Sequence, residues 1–126
     1  MILVIRTDQP RAELYLLDEK GNVRAQHAWQ ADRLLAATLL VEITQLLSEQ
    51  QAGLSDLGGI VVFSGSGSFT GLRIGTTVAN AIAYSLSIPV AKTSGDDWLL
   101  GAPQALAKTQ LGQFVQPDYD HAPNIT

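Results

Sequence analysis

The chain has 126 residues, a formal net charge of −4 and no cysteine. That length suits one domain, the acidic balance lacks the basic footprint of a chain that binds nucleic acid alone, and the absence of thiols excludes disulfides, thiolate zinc sites and thiol nucleophiles. Hydrophobic residues make up 46%, which excludes a wholly disordered chain.

No apolar run reaches the ~18 residues of a membrane span. The start, Met1-Ile2-Leu3-Val4-Ile5, lacks the basic region and cleavage site of a signal peptide. No membrane association and a cytoplasmic location are expected. Between Asp56 and Lys92 the only charged residue is Arg73. A small domain does not bury so long an uncharged stretch entirely, so a partner surface is expected there.

Taken in chain order, Ile2-Leu3-Val4-Ile5 reads as a strand buried on both faces. Asp8-Gln9-Pro10 breaks it. Ala12, Leu14 and Leu16 alternate with Glu13 and Tyr15 as a second strand, and Asp18-Glu19-Lys20-Gly21-Asn22 is turn chemistry. Val23, Ala25, His27 and Trp29 alternate with polar residues as a third strand, completing an antiparallel meander. Asp32 is placed to cap a helix over 32–50. That helix is apolar nearly all round, apart from a narrow stripe of Thr38, Glu42, Gln45 and Glu49, so cover on more than one side is expected.

Gly59-Ile60-Val61-Val62-Phe63 is the next buried strand. A Gly/Ser loop follows, then a second helix over 70–86 ended by Ser87 and Pro89. Ile88-Pro89-Val90-Ala91 reads as a short strand, and Thr93 or Ser94 opens a third helix reaching Leu99 or beyond. The order βββαβαβα predicts an α/β fold: a mixed five-stranded sheet with helices packed on it, the pattern of one actin-like, ribonuclease-H-like half. Residues 1–111 are expected to form this domain and 112–126 an extended tail docked across it.

The informative segment is Gly65-Ser66-Gly67-Ser68-Phe69-Thr70-Gly71-Leu72-Arg73-Ile74-Gly75, between a strand and a helix. Gly65, Ser66, Gly67, Ser68, Thr70 and Gly71 form either a structural turn or a cradle for a phosphate or nucleotide at a helix N-terminus. It is not a Walker A loop, because no Gly-Lys-Ser/Thr follows. It is not a dinucleotide fingerprint either, because Thr70 stands where the third glycine belongs.

This segment resembles the signature of the bacterial TsaB family, also called YeaZ, and Ile88-Pro89-Val90 with Thr93-Ser94 is similar to that family's strand–helix junction. Pro117-Asp118-Tyr119 and Ala122-Pro123 are similar to its C-terminal tail. The resemblance implies an actin-like fold and a non-catalytic, cofactor-free scaffold role in making N6-threonylcarbamoyladenosine at position 37 of tRNA. It implies a TsaD-like catalytic subunit and a TsaE-like ATPase as partners; without such a partner, the apolar surface of the two helices is itself expected to self-pair as a two-fold homodimer. The family's pairing surface consists of two helices, equivalent here to 32–50 and 70–86. On them the expected interface residues are Leu35, Leu39 and Leu46, with Gly71, Leu72, Gly75, Ala79, Ile82, Ala83 and Leu86. Two departures stand out. The second subdomain usual in the family is not present between the third helix and the tail-like segment. Arg6 also occupies the place where relatives put an Asp that supports a metal–nucleotide site, and a cation there repels Mg²⁺.

The remaining polar candidates have plainer readings. His27 and His121 share no metal-ligand spacing. Asp8 reads as a turn residue rather than a metal carboxylate. Asp96 and Asp97 read as helix-start residues rather than an acid–base pair. No Ser-His-Asp set is legible, so a peptidase reading gains nothing from these residues. Arg73 falls with Thr77, Asn80 and Tyr84 on the polar side of its helix, where a solvated or internally paired role is expected.

Overall fold

The computed structural model describes residues 1–116. Strands β1 (Ile2–Arg6), β2 (Arg11–Leu17) and β3 (Val23–Gln30) form the meander. Helix α1 (Leu35–Glu49), strand β4 (Gly59–Phe63), helix α2 (Phe69–Leu86), strand β5 (Val90–Thr93) and helix α3 (Ala102–Ala107) follow. The sheet order is β3-β2-β1-β4-β5. The β1–β2 and β2–β3 pairs are antiparallel, whereas β1–β4 and β4–β5 are parallel. The expected five-stranded mixed sheet and its element order are those observed.

The local chemistry explains the turns. The Asp18 carboxylate accepts hydrogen bonds from the Lys20 and Asn22 amides, both at 2.9 Å, and Gly21 supplies a φ of +86°. These amides hold the exposed Asp18 carboxyl below its ordinary range. Helix α2 begins at Ser68, whose hydroxyl accepts the Gly71 amide at 3.2 Å. It ends at Ser87, left-handed at φ +55°, where the Ile88 amide reaches back to the Ala83 carbonyl.

Because β1 and β4 are central, their continuous apolar runs are buried on both faces. On one face, Leu3, Ile5, Leu14, Leu16, Ile60 and Val62 pack with α1 and α2 in the main core. On the other, Val4, Leu17 and Val61 pack with Ala102 of α3, flanked by Tyr15, Trp98, Leu99 and Leu106. Gly59 leaves room for α3, since a Cβ there would come within 2.2 Å of the Leu106 side chain.

Four local expectations are corrected. Asp32 does not cap α1: it lies in a short 3-10 turn at φ +48° and accepts a hydrogen bond from the Gln30 side chain, while the N-cap position is Leu34. Strand β5 starts at Val90 rather than Ile88, because Pro89 has no amide proton for the ladder and contributes only its carbonyl, to Ile60. Thr93 therefore ends a strand instead of opening a helix, and its hydroxyl donates to the Trp98 carbonyl at 2.7 Å. The third helix starts later, at Ala102, with Pro103 in its first turn. Asp96 and Asp97 are exposed in the preceding turn and cap no helix. The expected tail beyond Gln116, including Pro117, Tyr119, His121 and Pro123, lies outside the described residues.

Candidate functional site

In an open α/β sheet, ligands bind beyond the carboxyl ends of the parallel strands. Here those ends are Arg6-Thr7-Asp8 after β1, the 64–68 loop after β4, and Thr93-Ser94 after β5. Asp8 is buried, and Arg6 holds it in two-pronged fashion: Nε donates to Oδ1 at 2.9 Å and Nη2 to Oδ2 at 3.2 Å. The bond to Asp8 raises the Arg6 guanidinium above its ordinary range, against the opposing effect of burial. The guanidinium also lies 3.9 Å from the centre of the Phe63 ring and 4.9 Å from that of Trp98. Trp98 in turn makes edge contacts with Phe63 and Tyr15, and the Tyr15 hydroxyl donates to Glu13. The position therefore holds a paired cation, and the one nearby buried carboxylate is neutralised.

The glycine loop is shaped by the same turn. The Ser68 amide donates to the Asp8 carbonyl at 2.8 Å, and the Thr7 hydroxyl donates to the Gly71 carbonyl at 2.7 Å. A Cβ on Gly71 would lie 2.2 Å from the Thr7 carbonyl oxygen, and one on Gly75 would lie 2.4 Å from the Thr7 hydroxyl. Gly67, at φ +153°, would meet Asp8 main chain at 2.8 Å. Gly67, Gly71 and Gly75 are therefore glycine so that α2 can touch the β1–β2 turn. The Ser68 and Gly71 amides are spent on the chain's own oxygens. Gly65 sits against the Phe63 ring, while Ser66 and Thr70 are exposed.

The two helices of the expected interface are adjacent, but the sides turned outward differ from those expected. Leu35, Leu39 and Leu46 of α1 are buried in the main core, as are Ala79, Ile82 and Ala83 of α2. Gly71, Leu72 and Gly75 are also buried, and Leu86 packs against that core. The small-residue row faces the sheet, so these side chains are already covered by the chain itself. The polar stripe of α1 meets the edge strand: the Trp29 indole donates to the Thr38 hydroxyl at 3.1 Å, and His27 pairs with Glu42 at 2.8 Å. His27 also stacks on Trp29, so it is a structural histidine.

The outward side of α1 is apolar in its first half, where Leu40 is 47% exposed and Val41 59%, with Leu34 just ahead at 64%, and polar in its second half, where Thr44, Gln45, Ser48 and Glu49 are exposed. Beside them Ala36, Phe69, Arg73, Ile74, Thr77 and Val78 line a groove between α1 and α2. Arg73 is exposed and lies over the Phe69 ring at 5.5 Å, where a solvated or internally paired role is expected. Leu40 and Val41 were missed as surface residues because an almost uniformly apolar helix carries no sign of which side is out. Among the described residues, no group of three or more metal-ligating side chains comes together.

Fold and site together define a chain of the ribonuclease-H-like, actin-like class. At the level of fold alone, it superposes on RuvC of Thermus thermophilus at a TM-score of 0.52 and 9% identity, covering 93% of this chain and 84% of that one. Sequence comparison goes further: the family profile described as TsaD, tRNA N6-adenosine threonylcarbamoyltransferase, matches residues 29–110. The chain belongs to this family.

It is 34% identical over 93 residues to the tRNA threonylcarbamoyladenosine biosynthesis protein TsaB of Bacillus subtilis, covering 74% of this chain and 40% of that one. The structure of YeaZ from Pseudomonas aeruginosa matches at a TM-score of 0.67 and 32% identity, over 74% of this chain and 43% of that one. A tRNA N6-adenosine threonylcarbamoyltransferase of Pyrobaculum neutrophilum is 32% identical over 76 residues, 60% of this chain and 22% of that one. The chain thus spans about two fifths of the length of TsaB and YeaZ.

Proposed function

We propose that this chain is a non-catalytic subunit in the biosynthesis of tRNA threonylcarbamoyladenosine, presenting the outward sides of α1 and α2 to a TsaD-like catalytic partner. The observation that carries the reading is the exposed apolar set Leu34, Leu40 and Val41 beside the α1–α2 groove. Arg73 is the single charged residue of α2, so covering this face desolvates little charge. Apolar area buried there contributes roughly 25 cal/mol per Å², and a stable interface needs about 800 Å² from each side.

The Arg6–Asp8 pair supports the non-catalytic half of the reading, because the buried carboxylate at the end of β1 is already engaged. A TsaE-like ATPase as third component, and self-pairing of the same face in the absence of a partner, belong to the same reading. No independent tRNA contact is part of it, in keeping with the net charge of −4.

Co-expression with a TsaD-like protein tests it directly. The chain is expected to co-purify with that protein. Leu40→Glu combined with Val41→Glu should weaken capture at least tenfold while leaving the melting temperature nearly unchanged, since both side chains face solvent. In the absence of a partner, the same pair of changes should reduce a dimeric mass in light scattering to that of the monomer. Undiminished capture by the double variant would place the interface elsewhere.

A further inference from the structure

The segment following α3 is held in an unusual way. The Asn80 carboxamide, on the flank of α2, donates from Nδ2 to the Val115 carbonyl at 2.8 Å and accepts the Val115 amide at Oδ1 at 3.0 Å. One side chain thus satisfies both main-chain groups of one residue, as a neighbouring strand would. The Val115 side chain is 8% exposed and joins the main core. Phe114 on the opposite side is 50% exposed and leans on the ring of Tyr84 at 6.2 Å. Val115 thus points inward and Phe114 outward, as in an extended peptide, and a cleft separates this segment from β5 residues Val90, Ala91 and Lys92.

Residues 113–116 belong to no helix or strand, and Gly112 immediately before them has a φ of +91°. Releasing them exposes one buried side chain and breaks no helix or ladder, so this is a low-cost opening next to a rigid wall. From Thr109 to Gln116 the segment carries no charge.

We propose that this flank of α2 is a docking groove for an uncharged extended peptide, read through its main chain by Asn80 and through one aliphatic side chain at the Val115 position. Residues 113–116 are its resident and displaceable occupant. Asn80 shares a side of α2 with Arg73 and Thr77 of the α1–α2 groove, but the cleft beside residues 113–116 has no lining residue in common with that groove, and this inference rests on its own observations.

The test uses a fluorescein-labelled peptide of residues 110–116 and the full chain. Val115→Lys expels the resident segment and leaves the groove intact. By fluorescence anisotropy it is expected to bind the peptide at least tenfold more tightly than the wild type does. Adding Asn80→Ala to that variant should reduce binding to the level of a scrambled peptide. Equal binding by wild type and Val115→Lys, or binding indifferent to Asn80→Ala, would overturn the proposal. Amide exchange on the otherwise wild-type chain gives a second measurement that does not depend on Val115→Lys folding. Asn80→Ala should remove protection of the Val115 amide while Val61 stays protected, and unchanged protection of Val115 would equally overturn the proposal.

Discussion

Helices α1 and α2 close one face of the sheet by bulk. Leu3, Ile5, Leu14, Leu16, Ile60 and Val62 meet Leu39, Ile43, Leu47 and Ala79, and glycines at 71 and 75 let α2 come down onto Thr7. Among the described residues, the opposite face is covered by the six residues of α3 and the turn before it. Its gap beyond the carboxyl end of β1 is filled by Arg6 among Phe63, Trp98, Asp8 and Glu13-Tyr15. The first face depends on shape, the second on charge and hydrogen bonds. They should therefore fail differently, the first to added atoms and the second to lost partners or to pH.

The largest effect is expected on the first face. Gly71→Ala places a methyl group against the Thr7 carbonyl, which is main chain and cannot rotate away. The cost should reach about 4 kcal/mol, the exceptional end of single substitutions, and thermal unfolding should show it as a drop of more than ~10 °C. Gly53→Ala, which meets nothing within 4 Å, is the control. Similar melting of the two variants would mean that steric fit does not govern this face.

On the second face, Arg6→Leu removes the partner of a carboxylate whose side chain is 3% exposed. A cost of about 3 kcal/mol is expected, because the uncompensated charge stays buried. Asp8→Asn added to Arg6→Leu should recover roughly half of that in urea unfolding, since a neutral amide is cheaper to bury. If the second change makes matters worse, the pair is not what closes this face.

The smallest effect separates the faces by pH. Burial first, then the hydrogen bond to Glu13, pushes the Tyr15 hydroxyl from 10.0 up to about 12. A raised value means that the folded chain holds the proton longer than the unfolded chain. Its contribution is complete below pH 10 and is lost as pH rises towards 12. Tyr15 is partly exposed, so solvent screening limits the loss to about 1 kcal/mol. Melting curves across pH 9–12 should slope down in the wild type and less steeply in Tyr15→Phe; equal slopes would remove Tyr15 from the account.

Much of this architecture is legible in the amino-acid order. Ile2-Leu3-Val4-Ile5 and Gly59-Ile60-Val61-Val62-Phe63 are unbroken apolar runs, and both are central strands. Asp18 with Gly21, and Ser87 ahead of Pro89, mark their turns by local chemistry that needs no distant partner. The segment from Gly65 to Gly75 carries the family likeness, and the comparisons support it. The Ala102–Ala107 helix was misplaced because the Thr93 hydroxyl, a ready helix cap in sequence, is taken by the Trp98 carbonyl across a turn.

The candidate surface was legible as a pair of helices and illegible as a set of side chains. Helical periodicity fixes the angles between residues but not which angle points inward. Along α1 and the turn ahead of it, Leu35, Leu39 and Leu46 are as apolar as Leu34, Leu40 and Val41, and packing against the sheet decides that the first three are buried. The same holds for the row Gly71, Gly75, Ala79 and Ala83, whose lack of bulk serves contact with Thr7 and the sheet. The pairing of Arg6 with Asp8 and the grip of Asn80 on Val115 likewise came only from tertiary structure. Composition and spacing record which groups a chain owns, whereas partners as far as 64 residues apart are chosen by how the strands and helices bring them together.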